Sequence, residues 1–254
     1  MMNRQETGVY SVYKNRGETP LECLNRVRQE NRIADSTQMT YAGRLDPMAE
    51  GALIILVGDM VKRKDEFLDL PKTYVFTVLW GVSTDTYDIL GKISSISKTE
   101  VPSVSDVGAH IKKNIGVFDQ VYPPYSSKPV MGKPLFQWAR EGRLDEIDIP
   151  SHPVEILSAN HVERRYLSTI NISEYILEGI SSVHGDFRQK EIIDFWNDYF
   201  SGSTQDYVLD TIEVTVSSGF YIRQFVQDLG CAFGTQATTY QIIRSAIGTY
   251  KVEK

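Results

Sequence analysis

Alternating and helical hydrophobic patterns divide the chain into strands and helices. Apolar residues that alternate with polar ones, or that form a short continuous run, predict three strands; these are residues 53–57, 73–80 and 208–216. Apolar residues at helical spacing predict four helices; the first begins at Pro20 and ends before Asp35, and the others are residues 104–115, 135–140 and 222–233. Strands and helices mix without strict alternation, which favours an α+β fold with a mixed or antiparallel sheet.

Residues 168–203 form a mostly helical segment inside what we predict to be one domain spanning residues 1–254. Its apolar face is predicted from five side chains: Ile192, Ile193, Phe195, Trp196 and Tyr199. We interpret this segment as an insertion that packs on the rest of the domain.

The composition is that of a soluble globular protein. Of 254 residues, 41% are hydrophobic, no apolar run is long enough to span a membrane, and the N-terminus lacks the apolar core of a secretory signal. Cys23 and Cys231 belong to no CxxC motif, so we expect two reduced, mostly buried thiols. The four histidines show no metal-ligand spacing, which predicts no metal site. We therefore expect a cytoplasmic protein.

The net charge restricts how this chain can bind nucleic acid. A formal charge of −6 argues against a protein that coats nucleic acid indiscriminately, because phosphate binding needs positive charge. A local basic groove is compatible with this total: Lys128, Lys133, Arg140 and Arg143 fall in one stretch with a single acid, Glu141. Such a run is either a solvated face or a phosphate-binding surface, and the pattern leaves both open.

One carboxylate, Asp46, has a distinctive local setting. Pro47 restricts Asp46 to extended backbone, which aims its side chain. Gly43 and Gly51 stand on either side and permit sharp turns or the close approach of another backbone. This setting suits a carboxylate at the floor of a cleft, and it also suits an ordinary surface Asp-Pro turn.

Residues 43–51 read Gly-Arg-Leu-Asp-Pro-Met-Ala-Glu-Gly, and further short motifs lie before and after them. These read Lys-Asn-Arg-Gly at 14–17, Lys-Thr-Tyr at 72–74, Thr-Asp-Thr-Tyr-Asp at 84–88, Pro-Tyr-Ser at 124–126, Gly-Lys-Pro-Leu at 132–135, Ala-Arg-Glu-Gly at 139–142, Gly-Phe-Tyr-Ile-Arg at 219–223 and Asp-Leu-Gly at 228–230. Taken in this order, the motifs resemble the TruB family of tRNA pseudouridine synthases from about residue 8 to residue 250. The resemblance implies the pseudouridine synthase α+β fold, with a catalytic cleft along a mixed sheet. It also implies an isomerase that converts uridine to pseudouridine at position 55 in the T loop of tRNA, without metal or organic cofactor.

The resemblance assigns the chemistry to a small group of side chains. Asp46 would be the carboxylate that attacks or stabilises C1′ of the ribose, or that adds to the base. Arg223 would pair with Asp46 and keep it ionised and oriented. Tyr74 would lie against the target base, while Tyr221 and Ile242 would supply a pocket tyrosine and an apolar wall. The structural alternatives are a core tyrosine for Tyr74 and a helix-core isoleucine for Ile242.

The other implied residues would contact RNA. Asp88 would touch the base or anchor its own loop, with an Asx turn as the alternative. Tyr41 would fill the stack vacated by the extruded uridine, and Lys128, Lys133 and Arg140 would bind phosphates. The expected partner is the T arm of tRNA, bound by a monomer that needs no obligate protein partner.

Three features depart from the family pattern. Tyr41 stands where the family has histidine, which preserves stacking but changes hydrogen bonding, and Arg44 stands where threonine is usual. The chain ends near Lys254 and leaves no room for a C-terminal PUA domain, so we expect weaker or different tRNA anchoring. The segment 168–203 is a candidate replacement, although its charge disfavours RNA contact. Its acids are Glu174, Glu178, Asp186, Glu191, Asp194 and Asp198.

Three other functions compete with this interpretation. The first is isomerisation of a different RNA uridine. The second is a non-catalytic RNA-binding or tRNA-folding module of the same fold, against which Asp46, Tyr74 and Arg223 argue. The third is a glycoside hydrolase, which needs two carboxylates flanking one site; only Asp88 is a candidate for the second acid.

Overall fold

The computed structural model of the protein describes residues 7–252. The strands among these residues are β1 (Gly8–Lys14), β2 (Met39–Ala42), β3 (Ala49–Val57), β4 (Lys72–Trp80), β5 (Val82–Thr84), β6 (Ile93–Ile96), β7 (Gly116–Val121), β8 (Pro129–Val130), β9 (Lys133–Pro134), β10 (Ser151–Ser168), β11 (Asp206–Val216), β12 (Ala237–Ile247) and β13 (Tyr250–Lys251). The helices are α1 (Pro20–Glu30), α2 (Lys64–Leu68), α3 (Val104–Lys113), α4 (Leu135–Arg140), α5 (Thr169–Ser182), α6 (Gln189–Phe200) and α7 (Ile222–Ala232).

A mixed nine-stranded sheet forms the centre of the described chain. Its main path runs β1-β3-β12-β4-β11-β10-β7, with β2 paired to β3 and β13 paired to β12. The β3–β12 pair is parallel and its neighbours are antiparallel. Helices α3 and α7 pack against this sheet, so the predicted α+β fold with a mixed sheet and flanking helices is confirmed.

The predicted strands and helices are present, and the structure adds strands that the hydrophobic pattern did not predict. β12 is the most consequential, because it carries Ile242 and pairs with both β3 and β4. The helix-core alternative for Ile242 is therefore wrong. The pattern of β12 was hidden because polar side chains such as Thr238, Thr239 and Arg244 are buried in it beside the apolar ones.

The segment 168–203 contains α5 and α6, whose buried faces pack on the sheet. Ile176 and Trp196 are fully buried and share a core cluster with Leu79 and Leu209 of β4 and β11. Phe195 was predicted on the apolar face, but it is 46% exposed because it lies one position away from the buried stripe. The status of this segment as an insertion stays a prediction.

The two cysteines are free thiols with different environments. Cys23 of α1 is fully buried, whereas Cys231 of α7 is exposed. The expectation of a buried thiol is therefore wrong for Cys231, which lies near the C-terminal end of α7. No helix among residues 7–252 combines the length and the apolar character needed to cross a membrane.

Gly51 permits the close approach of β3 and β12 beside the Asp46 loop. Its φ is +107°, and a Cβ there would lie 2.3 Å from the Arg244 carbonyl oxygen. We expect Gly51→Ala to lower the free energy of unfolding by about 3 kcal/mol or more, because backbone strain and a clash with backbone combine. Urea unfolding measures this loss.

Gly108 provides the matched control for that substitution. It lies inside α3, and a Cβ there would meet nothing within 4 Å. Gly108→Ala should raise the free energy of unfolding by roughly 0.5–1 kcal/mol, because alanine favours the helix. Equal effects of the two substitutions would contradict this account of β3–β12 packing.

Candidate active site

The loop that carries Asp46 joins β2 to β3 and is held by backbone contacts. The Gly17 N–H donates to the Pro47 carbonyl at 2.8 Å, and the Ala49 N–H donates to the Asp46 carbonyl at 3.0 Å. The fully buried Lys14 also donates to the Pro47 carbonyl at 3.3 Å. Burial lowers the pKa of Lys14 to about 8. The loop is thus fixed while the Asp46 side chain keeps 41% of its surface accessible.

Arg223, in the first turn of α7, holds the Asp46 carboxylate. Its Nε donates to Asp46 Oδ2 at 2.7 Å, its Nη1 to the Thr86 carbonyl at 2.8 Å, and its Nη2 to the Tyr125 carbonyl at 3.3 Å. Burial lowers the pKa of Arg223, but the nearby Asp46 and Asp88 carboxylates outweigh it and raise the pKa above its usual range. With all three nitrogens bonded and only 4% of the side chain exposed, the guanidinium fixes the direction of the carboxylate.

Asp88 is a second, buried carboxylate beside Arg223. Its Oδ1 accepts from Thr86 Oγ1 at 2.8 Å and from the Leu90 N–H at 2.9 Å, and the second of these contacts closes an Asx turn. Its Oδ2 lies 3.7 Å from Arg223 Nε. Asp88 therefore anchors its own loop and also faces the Arg223 guanidinium.

The titration of Asp88 yields a testable pH dependence. Burial raises its pKa from 3.8 to about 6; Asp46 adds to this rise, and Arg223 opposes it. Between pH 3.8 and about pH 6, Asp88 keeps its proton in the folded chain, whereas the unfolded chain has released it. On account of this group, the free energy of unfolding falls by roughly 2–3 kcal/mol as the pH rises through that range.

Asp88→Asn removes this titration. The free energy of unfolding of the variant, relative to that of the wild type, should therefore rise by roughly 2–3 kcal/mol between pH 4 and pH 7. Urea unfolding of both proteins at the two pH values measures the difference. A difference that stays constant with pH would contradict the assignment of a raised pKa to Asp88.

A cavity of about 310 Å³, the first cavity, opens beside the Asp46–Arg223 pair. Tyr74 of β4, Ile242 of β12 and Tyr221 line it, each being mostly buried. Burial raises the pKa of Tyr221, and the negative charge of Asp46 adds to the rise. Five residues predicted for the site (Asp46, Tyr74, Tyr221, Arg223 and Ile242) thus surround one cavity.

Gln120 fixes the position of Tyr221 at the start of α7. The Tyr221 N–H donates to Gln120 Oε1 at 2.8 Å, and Gln120 Nε2 donates to the Tyr221 carbonyl at 3.1 Å. The Tyr221 ring also meets Tyr122 and His152 edge-on, at 5.6 and 6.1 Å between ring centres. These contacts hold the tyrosine against the wall of the first cavity.

Two buried cations line the first cavity, and neither was among the predicted site residues. Lys72 and Arg244 are 5% and 1% exposed, and both line the cavity. Arg244 donates to the carbonyls of Ala52 (2.7 Å) and Arg44 (3.0 Å), but its Nη2 has no hydrogen-bond partner among the described residues. Burial and, secondarily, the charge of Arg244 lower the pKa of Lys72 to about 8. The cavity wall is therefore positively charged, although the protein as a whole is acidic.

A second cavity of about 480 Å³ shares the Asp46–Arg223 pair with the first. Tyr41 and Arg140, both predicted RNA-contacting residues, line it, and so does Asp88. Residues that border both cavities are Arg44, Leu45, Asp46, Tyr125, Ser127 and Arg223. Arg44, the departure from the family motif, donates to the Ser127 hydroxyl at this boundary.

Lys128 and Lys133 are not among the residues that line either cavity. The Lys133 ammonium pairs with Glu141 at 2.6 Å and lies 3.6 Å from the centre of the Trp138 ring. The Lys128 ammonium lies 5.0 Å from the centre of the Tyr122 ring. Their predicted contact with phosphates stays a prediction. Within residues 7–252, no group of three or more His, Cys, Asp or Glu side chains is arranged to hold a metal ion.

Comparisons with known proteins identify the family of this chain. The family model described as TruB family pseudouridylate synthase (N terminal domain) matches residues 31–180. The tRNA pseudouridine synthase B of Thermosipho melanesiensis is 28% identical over 245 residues, covering 96% of this chain and 65% of that protein. The tRNA pseudouridine synthase B of Nostoc sp. is 29% identical over 238 residues, covering 94% of this chain and 66% of that protein. This chain thus spans just under two thirds of the length of these relatives.

Solved structures show the same fold. A structure titled as a Cbf5-Nop10-Gar1 complex aligns with a TM-score of 0.60 at 15% identity, covering 99% of this chain and 52% of that one. A structure of an H/ACA RNP bound to a substrate RNA containing 2′-deoxyuridine aligns with a TM-score of 0.56 at 15% identity. The alignment covers 99% of this chain and 50% of that one. The family model matches more than half of the chain, and the fold agrees with it. This chain therefore belongs to the TruB family of pseudouridylate synthases.

Proposed function

We propose that this protein isomerises uridine to pseudouridine in tRNA, at position 55 of the T loop. The observation that carries the proposal is the Asp46 carboxylate, held at 2.7 Å by a buried Arg223 at the edge of a cavity lined by Tyr74, Tyr221 and Ile242. A carboxylate held in this way is a fixed nucleophile or charge stabiliser beside a pocket with an aromatic and apolar lining. Family membership supports the same reaction.

The reaction needs only groups that the cavity supplies. The N1–C1′ bond breaks, the freed uracil rotates, and a C5–C1′ bond forms; the proton on C5 passes to solvent, while N1 gains one. Asp46 would act at C1′ of the ribose or on the base ring, and Arg223 would keep it ionised and aimed. Because the isomerisation is redox-neutral, we propose that it uses no cofactor.

The first cavity would retain the detached base while it rotates. Tyr74 would lie against the ring, and Ile242 would form the apolar wall. The target uridine lies in a folded RNA, so it must be extruded from its stack to reach Asp46. Tyr41, which lines the adjoining second cavity, would offer an aromatic face to the RNA left behind.

The proposed partner is the T arm of tRNA, bound by a monomer in the cytoplasm without an obligate protein partner. The positively charged wall made by Lys72 and Arg244 supports an anionic ligand, as does Arg140 at the second cavity. Lys128 and Lys133 would then contact phosphates farther from the target uridine. Binding of this kind should weaken as the salt concentration rises.

Release of tritium from a full-length tRNA transcript labelled at uracil C5 tests the proposal. Wild-type protein should release tritium from the native transcript and none above background from a transcript whose T-loop uridine 55 is replaced by cytidine. No release from either transcript would overturn the catalytic assignment. Equal release from both would show that another uridine is the target.

A further inference from the structure

The chain between α5 and α6, residues 183–188, forms one wall of the second cavity; we name it the insert loop. Its last three residues, Asp186, Phe187 and Arg188, line the cavity together with Asp46 and Arg223. The helices on either side of the loop pack into the core cluster that includes Leu79 and Leu209, and the half-buried Phe187 also packs against that cluster. The segment 168–203 therefore reaches the catalytic cleft through this loop.

Arg188 fastens the insert loop to the catalytic part of the chain. Its guanidinium donates to both oxygens of Asp85, at 2.6 and 3.3 Å, and only 16% of the side chain is exposed. It also lies 4.6 Å from the centre of the Tyr125 ring, whose hydroxyl donates to Asp85 at 3.3 Å. The Tyr125 carbonyl in turn accepts from Arg223. A continuous set of contacts thus joins the loop to the arginine that holds Asp46.

The charge of the segment does not exclude RNA from this wall. Five of its six acids lie on exposed positions of the two helices, and none of the five lines the second cavity; they are Glu174, Glu178, Asp194, Glu191 and Asp198. The sixth, Asp186, accepts a hydrogen bond from Arg140 Nη2 through its carbonyl at 2.5 Å, and its carboxylate lies 3.5 Å from the same nitrogen. Most of the acidic side chains that argued against RNA contact therefore lie outside the second cavity.

The residues that line the second cavity include aromatic rings and guanidinium groups beside the carboxylates of Asp46, Asp88 and Asp186. Phe187, Phe136 and Tyr41 supply the rings, and Arg140 and Arg44 supply the positive charge. This combination is typical of sites that stack unpaired nucleobases and bind their phosphates. The volume, about 480 Å³, lies within the range of roughly 300–1,000 Å³ in which proteins hold small organic groups.

We propose that the insert loop is part of the substrate-binding cleft and that Phe187 stacks on a nucleobase adjacent to the target uridine. Arg188 holds the loop in place for this contact. The inference rests on the proposed function, because it takes an RNA substrate with its target uridine in the first cavity. It assigns to the segment 168–203 a role in substrate binding that its overall charge does not suggest.

Steady-state tritium release from C5-labelled tRNA, with the full chain, tests this inference. Phe187→Leu keeps an apolar side chain but removes the aromatic stacking face, so KM for tRNA should rise about tenfold while kcat stays within twofold. Phe187→Tyr should restore KM to near the wild-type value. Phe195→Leu, on the exposed side of α6 in the same segment, is the matched control and should leave KM unchanged.

The outcomes separate this inference from the proposed function. If wild type and Phe187→Leu release tritium with equal KM, the inference fails and the proposed function stands. If Phe187→Leu lowers kcat and the melting temperature while KM is unchanged, Phe187 is merely structural and the inference fails. If wild type releases no tritium, the proposed function fails and the inference with it.

Discussion

Asp46→Asn should abolish tritium release from C5-labelled tRNA, lowering the single-turnover rate by at least about a thousandfold. Asparagine has almost the shape of aspartate, and its carbonyl oxygen can still accept from Arg223. It lacks the negative charge and the nucleophilic oxygen that act on the substrate. The loss should therefore fall on the chemical step and leave tRNA affinity within a few-fold of the wild-type value.

The fold should tolerate this substitution, because the Asp46 side chain is 41% accessible and Arg223 retains three other polar neighbours. Those neighbours are Asp88, the Thr86 carbonyl and the Tyr125 carbonyl. An unchanged melting temperature provides the control. If Asp46→Asn, correctly folded, kept a rate within tenfold of wild type, Asp46 would not be the reacting carboxylate.

Arg223→Lys should lower kcat about a hundredfold with only a few-fold change in KM. A lysine ammonium keeps the charge but cannot reach Asp46, the Thr86 carbonyl and the Tyr125 carbonyl in the planar arrangement that the guanidinium provides. Because only 4% of the Arg223 side chain is exposed, the misplaced charge should also lower the free energy of unfolding by about 2–4 kcal/mol. Single-turnover rates and urea unfolding measure the two effects.

Arg143→Lys is the matched control for Arg223→Lys. Arg143 pairs with Glu146 at 2.7 Å, but its side chain is 47% exposed and solvent weakens the pair. The substitution should leave both the rate and the free energy of unfolding near the wild-type values. If the two lysine variants behaved alike, the geometry of Arg223 would have no special part in catalysis.

The local backbone around Asp46 and around Arg223 was predictable from sequence, whereas the pairing of these two residues across 177 positions was implied only by the family resemblance. Pro47 fixes the direction of Asp46, and the strand–glycine–helix pattern places Tyr221 and Arg223 at the start of α7. Proline and glycine restrict or widen the allowed backbone within a few residues of themselves, so these features can be seen in the local sequence. The predicted strand that carries Tyr74 was also found, since the side chains at positions 74, 76, 78 and 80 share one face and are aromatic or β-branched residues that favour strands.

The strands β10 and β12 were missed because long-range pairing, and not their own periodicity, defines them. β10 runs for 18 residues, and much of its surface remains exposed, so its apolar residues do not alternate cleanly. β12 buries Arg244 and several threonines between β3 and β4. Burial of these polar side chains is favourable only when the neighbouring strands supply hydrogen-bond partners. The sequence of one strand does not show whether such partners are present.

The position of the insert loop in the second cavity could not be predicted from sequence, because long-range contacts define it as well. Asp85 and Arg188 are separated by 103 positions, and neither belongs to a pattern that links them. The acidic composition of the segment 168–203 predicted that it would not contact RNA. A count of acids does not record that most of them lie on exposed positions of α5 and α6. Tertiary placement decides which of those charges the substrate meets.

The central claim is that this chain converts one uridine of the tRNA T loop to pseudouridine through Asp46. Mapping of pseudouridine at single-nucleotide resolution, by carbodiimide labelling and primer extension of tRNA treated with purified protein, tests it most directly. We expect one new modification, at uridine 55, formed by wild type and absent after treatment with Asp46→Asn. Modification at another uridine, or equal modification of uridine 55 by both proteins, would contradict the claim.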